Sequence, residues 1–181
     1  MGRPDSKWPR RRHNHYFIMP TKIYFSPKGG CATAIVAELA KAKKTILIQA
    51  YSFTSMIILN ELISAKKAGV DVRVILDKSW PTTAPKVKIT LENAGVIVLI
   101  DEKHNIAHNK IIIIDSNIVI TGSYNFSESA EYQNAENLLV IKDKKIAVLY
   151  LANWQNHASY SVLPVLGLPP LELIKSEFPK E

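Results

Sequence analysis

The sequence predicts a mixed α/β sheet with helices on both faces. Three observations carry that expectation. β-rich runs alternate with helical stripes through the first hundred residues, the isoleucines 111–114 make a strand apolar on both sides, and the brief break Asp115-Ser116-Asn117 joins two β-rich runs into an antiparallel hairpin.

Lys22 to Phe25 reads as a short strand, followed by a loop of turn formers from Ser26 to Gly30. Residues 31–43 place Ile35, Val36, Leu39 and Ala42 on one helical face, and Thr45 to Tyr51 is short and β-rich enough for a buried strand. Thr54 or Ser55 can cap a second helix with the stripe Ile58, Leu62, Ala65, ending at Gly69, which can take the left-handed conformation. Asp71 to Asp77 is the next strand, Ala84 to Asn93 a third helix stopped by Gly95, and Val96 to Ile100 another strand. Ala107 to Asp115 and Asn117 to Ser123 form the hairpin, Glu136 to Ile141 a further strand, and residues 143–157 a last helix with Ile146, Leu149, Tyr150 and Trp154 in line.

One domain accounts for this pattern. The 181 residues, 47% hydrophobic, can bury a core without disulfide or metal support. The expected organisation is a basic leader over 1–20, one folded domain over 21–160 and a Pro-rich tail over 161–181. Cys31 is the single cysteine, which excludes an internal disulfide and a zinc finger built within one chain. The net charge of +7 is uneven. Arg3, Lys7, Arg10, Arg11 and Arg12 against Asp5 put +4 in the leader, and 18 basic against 15 acidic residues leave +3 for the rest, so basicity alone is a weak pointer to nucleic acid. No apolar run approaches membrane-spanning length. The compartment stays open: periplasmic or secreted if an export signal has been removed, cytoplasmic otherwise.

The chemistry concentrates in HNKIIIIDSNIVITGSYN, His108 to Asn125. On a strand His108 and Lys110 project to one side, whereas Asp115, of opposite parity and next to a tight turn, suits a structural role. A histidine and a lysine at the start of so apolar a strand are costly unless they lie at an open edge with partners, which describes a cleft. The second hairpin strand returns Gly122, Ser123 and Asn125 to the same end, Gly122 leaving room for close approach. An imidazole, a fixed cation and neutral donors in Ser123 and Asn125 together make a phosphate-binding kit, and it calls for no cofactor.

Other features carry weaker chemical signals. His104 lies four residues before His108, but a metal pair there lacks a cysteine or carboxylate at matching spacing, so no metal site is expected. Gly29-Gly30 before a helix reads as a plain turn rather than a phosphate cradle, and Tyr51, Tyr124 and Phe126 could stack bases or fill the core.

The same stretch matches H-x-K-x4-D-x6-G-S-x-N of the phospholipase D superfamily at every defined position. The chain resembles its small single-motif Nuc-type endonucleases further, in Ala50-Tyr51-Ser52-Phe53-Thr54, in Lys66 to Val72 and in Ala130 to Asn137, over roughly residues 22–157. The resemblance implies that Glu136 supports the histidine. It also implies a homodimer, since the signature occurs once here and twice in larger relatives, with two copies of His108 meeting at one phosphate. The reaction implied is metal-independent hydrolysis of phosphodiesters in DNA or RNA, DNA favoured, with little base preference. The rivals are a phospholipase acting on lipid headgroups and a nucleic-acid-binding module without catalysis.

Overall fold

The computed structural model describes residues 21–80 and 85–163; the leader, the tail beyond Leu163 and the expected helix start at Ala84 lie outside the described residues. In chain order the elements are β1 (Thr21–Ser26), α1 (Cys31–Leu39), β2 (Thr45–Ala50), α2 (Met56–Lys67), β3 (Asp71–Asp77), α3 (Pro85–Asn93), β4 (Ile97–Asp101), β5 (Lys110–Ile114), β6 (Ile118–Gly122), α4 (Glu128–Tyr132), β7 (Glu136–Lys142) and α5 (Lys144–Ala158).

They build a mixed seven-stranded sheet in the order β1-β7-β6-β5-β2-β3-β4. β2, β3 and β4 run parallel, joined through helices, while β5, β6, β7 and β1 add antiparallel strands on the other side. Parity decides which helix each strand residue meets. Ile46, Ile48, Val72, Val74, Ile112 and Ile114 face α1, α2 and α3 in the larger core, with Ile35, Leu39, Ile58, Leu62 and Leu91. Leu47, Ile75, Leu99, Ile111 and Ile113 face α5, where Trp154 and Ala158 cover them. The four isoleucines are thus buried alternately on both faces, each burial contributing about 1.5–3 kcal/mol before entropy is subtracted. The Trp154 indole N–H donates to the Ile48 carbonyl at 2.9 Å, which fixes α5 against the sheet.

Local signals hold at most boundaries. α2 stops where Gly69 takes φ 90°, and Asp143 caps α5 by accepting from the N–H groups of Lys145 and Ile146. The first helix is shorter than its stripe suggested: it ends at Leu39, and Ala42 packs from the following turn. α4 was not expected; Ser127 caps it with an oxygen that accepts from Ala130 N–H.

The tight β5–β6 turn sets the hairpin register. Asp115 and Ser116 both have φ 51°, the left-handed pair that a two-residue hairpin requires, and Asn117 N–H closes the turn on the Ile114 carbonyl at 3.0 Å. Asp115 tolerates this because its carboxylate accepts from the N–H groups of Lys43, Lys44 and Thr45 at 2.8, 2.8 and 2.9 Å. The motif aspartate is therefore a clamp between the hairpin and the start of β2, as its parity suggested.

Candidate active site

The register brings many chain reversals to one end of the sheet. Lys110 pairs with Ala50, Gly122 with Leu138, Ser26 with Glu136 and Asp77 with Asp101, so β1, β2, β3, β4 and β6 end there while β5 and β7 begin there. After β6 the chain crosses above the start of β5 and bridges Phe126 to Phe53 beyond β2. Segment 123–126 thereby spans the strand end where β5 begins, tied to Asn137 by the Ser123 N–H at 3.1 Å and to Ser52 by the Phe126 N–H at 3.1 Å.

β5 begins at Lys110 rather than at Ala107, so His108 sits in the loop before the strand. The difference matters, because the two side chains are not equivalent. Lys110 is 6% exposed, whereas His108 is exposed to solvent. Tyr51 joins them. Its ring centroid is 4.6 Å from that of His108, and the Lys110 ammonium lies 5.0 Å from the same ring. Lys110 Nζ also donates to the His108 carbonyl at 2.7 Å, which holds the histidine backbone over the lysine. Burial lowers the Lys110 pKa below the ordinary lysine value, opposed by the nearby Glu136 charge. A cation held out of water with donors to spare is poised for an anion.

Ser123 and Asn125 supply donors in different ways. The Ser123 oxygen accepts from the backbone N–H and the side-chain amide of Asn137, at 3.1 and 3.2 Å, which leaves its own hydroxyl proton free to donate. Asn125 Oδ1, an acceptor, is buried without a hydrogen-bond partner among the described residues, so what Asn125 can offer an anion is its Nδ2 amide. Gly122 permits the approach: a Cβ there would stand 2.2 Å from the Asn137 carbonyl oxygen. Glu136 opens β7, half-buried, and its carboxylate accepts from Asn134 Nδ2 at 3.3 Å. Its charge reaches Lys110, but it makes no hydrogen bond to His108 among the described residues.

His108, Asn109, Lys110, Thr121 and Gly122 line a cavity of about 370 Å³, closed on the far side by Leu149, Tyr150 and Asn153 of α5. Asp77 was not expected at this end. Buried at the end of β3, it accepts from the Ala107 N–H at 2.7 Å and from the Ser79 N–H and hydroxyl at 2.9 and 2.6 Å. Burial would raise its pKa, and these donors hold it below the carboxylate range. It pins the residue next to His108. The sequence signal was an acidic residue closing an apolar strand, legible only once strand ends are known to converge.

The aromatic residues and the glycine pair divide between core and site. Tyr124 and Phe126 are buried in the core, and Tyr51 alone of the three aromatics reaches the site. The N-terminus of α1 after Gly29-Gly30 is filled by the Glu131 carboxylate, which accepts from Ala32 N–H at 2.9 Å and from the Tyr124 hydroxyl at 2.9 Å.

The family model of the cardiolipin synthase, PLD-like domain matches residues 35–157. The chain belongs to the phospholipase D-like family of phosphodiesterases. This phospholipase D-like chain is 45% identical over 130 residues to a phospholipase D of Rickettsia prowazekii, a match covering 72% of this chain and 63% of that protein. It therefore spans less than two thirds of that relative's length. The crystal structure of Nuc from Salmonella typhimurium, a phospholipase D family member, superimposes with a TM-score of 0.75 at 34% identity, covering 79% of this chain and 96% of Nuc. NucT from Helicobacter pylori has the same fold, with a TM-score of 0.72 at 22% identity over 79% of this chain and 98% of its own.

Proposed function

We propose that the protein hydrolyses phosphodiester bonds of nucleic acid, DNA foremost and RNA by the same chemistry, through a phosphohistidine formed at a site shared by two subunits. The observation that carries the reading is the pairing of an exposed His108 imidazole with a buried Lys110 ammonium on one aromatic ring. His108 of one subunit attacks phosphorus and forms the N–P bond as the bond to the leaving oxygen breaks. His108 of the partner subunit protonates that oxygen, then takes a proton from the water that cleaves the N–P bond. Lys110, the Ser123 hydroxyl and the Asn125 amide stabilise the charge that builds on the non-bridging oxygens, so no metal ion is required for the chemistry.

Two features support a shared site. A single copy of the motif supplies one histidine where the reaction uses an attacking group and an acid. Glu136, which makes no bond to His108 of its own subunit, is free to accept an imidazole N–H across the two-fold axis and fix its tautomer. Solvent access to His108 and the net positive charge suit a polyanion with an accessible backbone. Contacts to phosphate carry no base identity, so sequence preference should be weak.

A lipid headgroup reading has its own support. Leu149, 71% exposed, lines the cavity with apolar surface, and the Rickettsia relative is named a phospholipase D. Cleavage of plasmid and single-stranded DNA in excess EDTA, beside headgroup release from phospholipid vesicles and with His108→Ala as control, separates the readings. DNA cleavage that survives EDTA and vanishes in His108→Ala supports the nuclease. Headgroup release without DNA cleavage selects the lipid, and cleavage abolished by EDTA in folded protein refutes the histidine mechanism.

A further inference from the structure

A second constellation lies at the same sheet end, beyond the cavity. Asp101 ends β4 with its side chain fully buried, His104 follows in the loop that leads to His108, and His157 comes from the last turn of α5. Both imidazoles present the same atom to the same oxygen: His104 Nδ1 is 3.0 Å from Asp101 Oδ2, and His157 Nδ1 is 3.1 Å from it. The ligating atoms of all three residues lie within 4.8 Å of one another. Asp101 Oδ1 accepts from the backbone N–H groups of Lys103 and His104 at 3.1 and 3.2 Å and also lies 3.1 Å from His104 Nδ1, so the His104 ring straddles both carboxylate oxygens while His157 meets Oδ2. Outer hydrogen bonds that orient a ligating carboxylate in this way are characteristic of metal sites.

We propose that Asp101, His104 and His157 bind a divalent transition-metal ion of the zinc type. An N,N,O donor set suits zinc, cobalt or nickel rather than magnesium or calcium, which prefer oxygen alone. Zinc holds such atoms at about 2.0–2.2 Å, so neighbouring ligands of a tetrahedron stand about 3.3–3.5 Å apart. The observed Nδ1–Oδ2 separations need to open by only a few tenths of an ångström. The ion takes the place of the proton between each Nδ1 and Asp101; a ring that ligates through Nδ1 is the Nε2–H tautomer, so each neutral ring's proton moves from Nδ1 to Nε2 through solvent. His104, with 42% of its side chain exposed, leaves a route from solvent and room for a water as fourth ligand.

The remaining neighbours do not block it. The His104 and His157 rings stack at 5.0 Å with a 26° interplanar angle, both also touch Tyr160, and the Lys103 ammonium is held 4.1 Å above the Tyr160 ring. A bound ion would tie α5 to the loop that carries His108, with a structural effect on the active site and no contact with the phosphate. Neither His104 nor His157 belongs to the motif, so the site stands independently of the proposed reaction.

The test uses the full chain stripped by chelator and titrated with cobalt(II), read by visible absorption, then with zinc in competition. Because His13 and His15 could also bind, His13→Ala/His15→Ala is titrated in parallel. We expect one ion per chain with tetrahedral cobalt bands, unchanged in that double variant and weakened at least tenfold in His157→Ala and in His104→Ala. Zinc should raise the unfolding temperature of the parent and leave that of His104→Ala unmoved. His104, half-buried where His157 is largely covered, guards against a folding defect at His157. No saturable binding, binding unaffected by His104→Ala, or binding lost with the leader histidines would each overturn the proposal.

Discussion

Replacing Asp115 by alanine removes a carboxylate that accepts three backbone N–H groups at 2.8–2.9 Å. Hydrogen bonds to a charged acceptor contribute about 1.5–3 kcal/mol each. The bonds from Lys43 and Lys44 are solvent-exposed, so water replaces much of their loss, while that from Thr45 is partly buried. Alanine must also hold φ 51° without the short polar side chain that eases that conformation. The net loss should be about 2–4 kcal/mol, or roughly 5–15 °C in unfolding temperature for a chain of this size. Catalysis should survive. At about 3.3 Å per strand residue, Asp115 stands roughly 16 Å from Lys110, at the opposite end of β5 from the phosphate kit. Calorimetry gives the first quantity, and turnover measured well below the variant's unfolding temperature gives the second. The pH dependence adds a check of sign. Burial would raise the Asp115 pKa, but the N–H groups of Thr45, Lys43 and Lys44 hold it below the usual carboxylate value. Its contribution is present above about pH 4, the unfolded value, and is lost as pH falls through the lower folded value. The parent should shed this share of stability in acid and the variant should not. A variant as stable as the parent, or a folded one with turnover reduced more than tenfold, would refute the structural assignment.

Lys110→Met should lower kcat by about 10²–10³, as loss of one positioned donor does, while stability holds or rises. The sign follows from burial, which depresses the lysine pKa and so penalises folding at every pH where the ammonium is charged; a simultaneous fall in stability, by chemical denaturation, would contradict it. Asp77→Ala should free the Ala107 N–H and loosen the loop ahead of His108. Turnover should fall about 10- to 100-fold with KM less affected and hydrogen exchange faster over 104–109, and unchanged exchange there would remove Asp77 from any positioning role.

The sequence by itself determined the fold class and most of the elements, and it singled out His108 and Lys110 as a pair. Those features are local: the isoleucine run dictates a strand covered on both faces, Gly69 ends a helix because it can take positive φ, and His108 and Lys110 are two residues apart wherever the strand begins. It also read Asp115 correctly, since strand parity and a following turn are local facts. The tertiary structure decided what depends on distant residues meeting. Tyr51 under His108, Asp77 on the Ala107 N–H, and Asn137 on Ser123 are contacts across strand ends, and no spacing in the chain reports them. His104 shows the limit most plainly. Its expected lack of a carboxylate at matching spacing was a statement about neighbours in sequence. Asp101, three residues earlier, is such a neighbour and was missed, whereas His157, 56 residues beyond that aspartate, reaches the same oxygen only because the fold brings the last turn of α5 to the end of β4.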